Sequence, residues 1–305
     1  MKKRNKLFVS LLASLALTGP VLPVANAQAN PTEVLTKIDE VGKTAKSVHG
    51  AGFLSVAITN QGQTADIGQL NFDVKVNGEE PISLAFLGEV ISPFTGGEQL
   101  AIETYLKDNV MTLIAPGNVS QQDITDELTE IKADFEGEST PANPEQTLKV
   151  MNLTENDTHY VLSLKEDLDV DALWEEATKG MDINQVKEQY IKQMEAQGVE
   201  VDEATLAMLD KVYNKEFIKS LLAALNPKVE VHYAKDTYFL TTFKAEFNIT
   251  SADLVALAAE LDPELSLDAT ELPENIVLKF EGNFDGHGQP QEITVPEVTV
   301  TPAAQ

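Results

Sequence analysis

The sequence predicts an α+β protein: an antiparallel sheet with one apolar and one polar face, and amphipathic helices to cover the apolar one. Three observations carry that expectation. In much of 53–115, and again after 228, apolar residues recur at every second position, the period at which strand side chains return to one face. Short polar turn sequences such as Asn77-Gly78 and Lys235-Asp236 separate these runs and suit hairpins between antiparallel neighbours. From 168 to 225 the period lengthens to that of a helix.

Residues 228–250 show the strand signal best. Val229, Val231 and Tyr233 alternate with Lys228, Glu230 and His232 on the first arm of a hairpin. On the second arm Phe239, Phe243, Ala245 and Phe247 are expected on the apolar face, with Tyr238, Thr242, Lys244, Glu246 and Asn248 opposite.

The other elements follow in chain order. Val34, Leu35, Ile38, Val41 and Ala45 mark a helix over 32–46, with Asn30 and Thr32 as candidate caps. Strands are expected at 53–59, at Leu70 to Val76, at Ile82 to Phe86, at Leu100 to Leu106 and at 110–115. A short helix at 123–132 and an acidic, turn-rich loop at 136–146 come next, then strands at 148–153 and 159–164. The inserted segment divides into three helices. Asp169 opens the first, which Gly180 ends; Asp182 and Gln185 form a capping box for the second, which Gly198 ends. Asp202 opens a third that runs to Asn226-Pro227, with Leu206, Leu209, Tyr213, Phe217, Leu221 and Leu225 on one stripe. A helix at 251–261, capped by Ser251, follows the hairpin. Strands at Ile276 to Phe284 and at 292–300 close the chain, the latter as an edge strand that tolerates Pro296.

Composition narrows the setting. Residues 1–27 read as a secretory signal: a basic start, a short apolar run and Ala25-Asn26-Ala27 as cleavage signal. Leu17-Thr18-Gly19 resembles the box before a lipidated cysteine, but Pro20 follows it and cannot carry a thioether-linked lipid. Cleavage after Ala27 leaves 278 residues, expected as a single domain (28–305) with a helical insertion at about 168–226. The leader takes four of the 22 basic residues and none of the 49 acidic ones, so the mature chain carries 18 bases against 49 acids, a formal charge of −31. Such a chain repels nucleic acid and anionic headgroups. It has no cysteine, hence no disulfides. A secreted protein without a stable membrane anchor is the expectation.

Sites of chemistry do not emerge. Asp167, Asp169 and Asp171 match the start of a calcium loop, but Ala172 and Thr178 stand where Gly and Glu are required. Gly50-Ala51-Gly52 lacks the third glycine of a dinucleotide loop and its strand-to-helix context. His49, His159, His232 and His287 have no partner at metal-ligand spacing, and there is no nucleophile elbow. A non-catalytic protein without cofactor or metal is expected.

With this layout, the chain resembles the LolA/LppX-like superfamily of bacterial lipid and lipoprotein carriers, and within it a group of Gram-positive secreted lipoproteins. The resemblance rests on the order of elements and on three phrases: YLKDNVMTLIAP at 105–116, HYAKDTYFLTTFKAEFNI at 232–249 and KFEGNFDGHGQPQEITVPE at 279–297. It implies a curved antiparallel sheet, a half-barrel, with helices covering its concave face and a hydrophobic guest between them. The candidate lining is the apolar set Leu70, Phe72, Val74, Leu84, Phe86, Ile102, Phe239, Phe243, Phe247, Leu278 and Phe280, roofed by Tyr190, Met194, Tyr213, Phe217 and Leu221. The same side chains could instead fill the interior completely. Two functions are therefore carried forward: an extracytoplasmic carrier or sensor of a lipid-like ligand, and a cell-envelope module that binds a protein partner and has no cavity.

Overall fold

The computed structural model describes residues 30–93, 99–125, 143–171, 183–196, 201–262 and 267–297, together with Leu128, Trp174, Thr178 and Leu265. The expected leader, Gly180, Asp182 and Gly198 of the inserted helices, and most of the 123–132 helix and the acidic loop lie outside the described residues.

The chain opens with helix α1 (Pro31–Gly42). Asn30 caps it by accepting the Thr32 N–H, and Pro31 occupies the first turn, where no N–H is needed. A meander follows: β1 (Ser47–Asn60), β2 (Gln63–Asn77), β3 (Ser83–Ile91), β4 (Leu100–Lys107), β5 (Val110–Ala115) and β6 (Asn118–Asp123). Two of its hairpins close through residue pairs with positive φ, Gln61-Gly62 (50° and 70°) and Asp108-Asn109 (52° and 63°), the backbone that matches strand twist. Next come α2 (Pro144–Val150), β7 (Met151–Glu155) and β8 (His159–Leu164), then α3 (Ile183–Ala196), α4 (Glu203–Val212) and α5 (Lys215–Leu225). The second meander finishes with β9 (Lys228–Ala234), β10 (Leu240–Thr250), α6 (Ser251–Leu261) and β11 (Asn275–Asp285).

The eleven strands of the described residues form one open antiparallel sheet in the order β6-β5-β4-β3-β2-β1-β11-β10-β9-β8-β7. The pairing of β1 with β11, from His49↔Asp285 to Thr59↔Asn275, is the seam between the two meanders.

Two groups of helices pack on the apolar face. Val34, Leu35 and Ile38 of α1 join Val48, Val74, Val76, Leu84, Phe86, Leu106 and Phe284 in the main core, which runs on to Tyr160, Leu162, Tyr233 and Leu240. At the other end Phe217 and Ala224 of α5 and Leu257 of α6 close over Ile249 and Ile276.

Several expectations need correction. β1 begins at Ser47, not Phe53, because Gly50 and Gly52 are strand residues. β6 is an unanticipated polar edge strand. Residues 144–150 form α2 instead of loop and strand: Asn143 accepts the Glu145 N–H and Pro144 starts the turn, so the local capping signal prevails. The single helix expected after Asp202 is two. Asp202 does cap α4, but Asn214 caps α5 by accepting the Glu216 N–H, and the expected stripe breaks at Tyr213. Residues 292–297 form no strand. They cross the outer face, where Ile293 is buried against Ala85 and Tyr105 and Asn77 binds both backbone groups of Gln291.

Candidate hydrophobic binding site

Because the register is known across the sheet, the apolar face resolves into rows of neighbouring residues. The first is Leu106, Leu84, Val76 and Val48, and the second runs Thr104, Phe86, Val74, Gly50 and Phe284. The α1 core covers the apolar side chains of both. The third row is Ile102, Gly88, Phe72, Gly52, Gly282, Phe243 and Val231; the fourth is Leu100, Val90, Leu70, Leu54, Phe280, Ala245 and Val229. Gly68, Val56, Leu278 and Phe247 make the fifth, and Ile58, Ile276 and Ile249, by α5 and α6, the last.

Rows three to five are not fully covered. Leu54 is 37% exposed, Ile102 37% and Leu100 36%, although each lies on the same face as the core. Leu70, Phe72, Val56, Phe247, Leu278 and Phe280 around them are half-buried. This floor carries no polar side chain in any of the three rows.

Glycines shape it. A Cβ on Gly52 would lie 2.8 Å from Phe72 Cζ, and one on Gly50 2.9 Å from the Phe284 ring. A Cβ on Gly88 would lie 2.9 Å from Phe86 and 3.2 Å from Leu70. The rings therefore lie down across glycines, so the floor is both aromatic and low. Phe72 and Phe280 stack at 5.4 Å, and Phe243 meets Phe280 edge-on at 5.5 Å.

The predicted lining divides accordingly. Leu70, Phe72, Ile102, Phe243, Phe247, Leu278 and Phe280 share the floor, whereas Val74, Leu84 and Phe86 are filled over by α1. Phe239 does not belong to it. The register shifts between Leu240 and Thr242, so Tyr238 and Leu240 enter the core, while Phe239 stacks on His287 at 4.6 Å. Of the expected roof, Phe217 and Leu221 pack in the α5–α6 cluster. Tyr213 and Met194 are half-buried, and Tyr190 is 46% exposed on α3, which Lys187 ties to Asp210 of α4 at 2.7 Å. Leu54, Val56, Leu100 and the glycines are floor residues absent from the predicted set. Gly50, Gly52, Leu54, Val56 and Ile58 already alternate in the sequence, and reading the glycines as a failed loop motif hides them.

Polar chemistry lies elsewhere. Where the inserted segment leaves β8 and rejoins β9, a cavity of about 920 Å³ is lined by Leu164, Leu222 and Val229 together with Lys165, Lys219 and Lys228. Those ammonium groups are engaged within the protein: Lys165 donates to the Leu148 carbonyl (2.7 Å), Lys219 pairs with Asp171 (3.3 Å) and Lys228 with Glu246 (3.3 Å). Burial, helped by a 2.7 Å hydrogen bond to Glu103, pushes the Tyr105 phenol up to about 12. Burial lowers the pKa of His287, whose Nε2 donates to the Leu240 carbonyl at 2.6 Å. Among the described residues, no three His, Cys, Asp or Glu side chains gather as a metal site, and no helix is long and apolar enough to cross a membrane.

Comparison with protein-family models found no match, and comparison with curated proteins found no significant one.

Proposed function

We propose that this chain is an extracytoplasmic, non-catalytic binder or carrier of a lipid-like molecule, whose hydrocarbon part rests on the floor between α1 and the α5–α6 pair. In this reading the open sheet bends into a half-barrel around its apolar face, as the resemblance to the LolA/LppX-like carriers implies. The observation that carries the reading is the exposure of Leu54, Leu100 and Ile102 among half-buried neighbours on the same face as the buried core. Contiguous apolar surface of this kind marks interaction sites in folded proteins.

The energetics suit a guest held without polar contacts. Each buried methylene contributes roughly 0.8 kcal/mol, so a sixteen-carbon chain gains on the order of 10 kcal/mol before ordering costs. Such a site needs a dry, shaped surface more than hydrogen-bonding groups.

An environment-sensitive hydrophobic dye tests the assignment. Leu54→Asp places a carboxylate in the centre of the floor and should weaken uptake by about tenfold or more, from the cost of desolvating charge. Leu87→Asp is the control, since Leu87 is 40% exposed on the opposite face and should leave uptake unchanged. Equal uptake by both variants would place the dye away from the floor and overturn the proposal.

A further inference from the structure

The outer side of the seam holds a charge arrangement that binding on the floor does not use. His49 of β1 sits directly opposite Asp285 of β11, with Asp73 of β2 on its other flank. Its Nδ1 is 2.9 Å from Asp285 Oδ1 and its Nε2 is 2.9 Å from Asp73 Oδ2. A carboxylate can only accept, so both contacts are hydrogen bonds only when both ring nitrogens carry protons, that is, when His49 is an imidazolium.

We infer that His49 is a proton-operated clamp, which ties β2, β1 and β11 together while protonated and slackens the seam between the two meanders when the proton leaves. A neutral imidazole keeps one N–H. One carboxylate then loses its donor and faces a ring lone pair, next to a second carboxylate. The other charged or titratable groups are Lys75, paired directly with His49 on β2, Asp66 at the far end of β2, and Glu281 and Lys279 further along β11. Two more stand on the segment after β11: His287, which feels Asp285 but whose charging burial disfavours, and Glu292, which lines the same small pocket as Lys75. Glu281 is engaged with Lys244 (3.3 Å) and Lys279 with Glu246 (3.2 Å), so Lys75 is the cation nearest the clamp in register and partly offsets the two carboxylates. Asn283, between Glu281 and Asp285, accepts from Thr242 and is uncharged. On β1 itself Ser47, Ala51 and Phe53 share this face and do not titrate.

Burial opposes the charge on His49, but the hydrogen bonds to Asp73 and then Asp285 outweigh it, and its pKa is raised above the ordinary 6.5. The sign follows. A raised pKa gives stability that is complete below 6.5 and disappears as pH rises through the higher, folded-state value. The side chains of His49, Asp73 and Asp285 are 25%, 41% and 77% exposed, so screening keeps the effect modest. The clamp acts on the strand that also carries Gly50, Gly52 and Leu54, but it requires no guest on the floor.

Hydrogen exchange of the full mature chain, corrected for the intrinsic pH dependence, tests it. Between pH 5.5 and 9, protection of 48–58 and 276–284 should fall by roughly three- to tenfold relative to β4 and β5, and His49→Gln should abolish that difference. An equal fall in wild type and His49→Gln overturns the clamp. Should His49→Gln fail to fold, NMR titration of the wild-type ring decides. A midpoint above 6.5 that drops in Asp73→Asn supports the clamp, and one at or below 6.5 overturns it.

Discussion

Gly52→Ala is the substitution whose cost can be worked most fully from the structure. Gly52 pairs with Gly282 across the seam and with Phe72 on its other side. An added methyl would lie 1.9 Å from the Glu281 carbonyl oxygen, 2.7 Å from Gly282 Cα and 2.8 Å from Phe72 Cζ. Two of these neighbours are backbone, so no rotamer change relieves them. The strands must part by roughly 1 Å to make room, at a repulsive cost of about 1–3 kcal/mol. One or two seam hydrogen bonds are weakened as well, at about 1 kcal/mol net each. The sum, about 2–5 kcal/mol, is a large share of the roughly 5–15 kcal/mol typical of a domain. In urea this moves the unfolding midpoint down by about 1 M or more. Gly68→Ala is the matched control. It lies on the same face, its nearest neighbour would be 3.9 Å away, and it should be neutral or stabilising by up to about 1 kcal/mol. Equal midpoints for the two variants would refute the packing of rings over glycines at the seam, and with it the shape assigned to the floor.

Other perturbations read other parts of the fold. Asn214→Ala removes the cap that divides α4 from α5 and should cost about 1 kcal/mol, seen as a lower thermal midpoint, with Asn214→Asp close to wild type. Glu246 accepts from Lys279, and more weakly from Lys228, across three strands, and these bonds hold its carboxyl below the usual range against the cost of burial. Its contribution is therefore present above the ordinary 4.5 and lost as pH falls through the lowered value. Glu246→Gln should cost no more than about 1 kcal/mol near neutrality and flatten the acid limb of a stability–pH curve.

Much of the fold is legible before any coordinates. The alternations in β2, β9 and β11 place their side chains correctly because a strand's period is fixed by its backbone and one face is buried. Caps are nearly as readable: Asn30 and Asp202 start their helices as expected, and α6 is capped one residue early because Thr250 and Asp253 bind each other reciprocally. What escapes a sequence reading is non-local or exceptional. The bulge that removes Phe239 from its row inserts one residue without disturbing the hydrophobic pattern around it. The expected stripe from Leu206 to Leu225 looks continuous because its apolar spacing carries on past Asn214, even though Asn favours a cap over a helix interior. Which rows lie beneath α1 and which stay open depends on where that helix docks, and neither Val74 nor Leu54 encodes that in its own neighbourhood.

Native mass spectrometry of the protein, purified from its own host without detergent, tests the carrier reading most directly. The proposal predicts a species heavier than the polypeptide by the mass of a lipid-like molecule, which organic extraction removes and a long-chain hydrophobic probe restores. A bare polypeptide mass, with nothing extractable and no probe taken up, would contradict it.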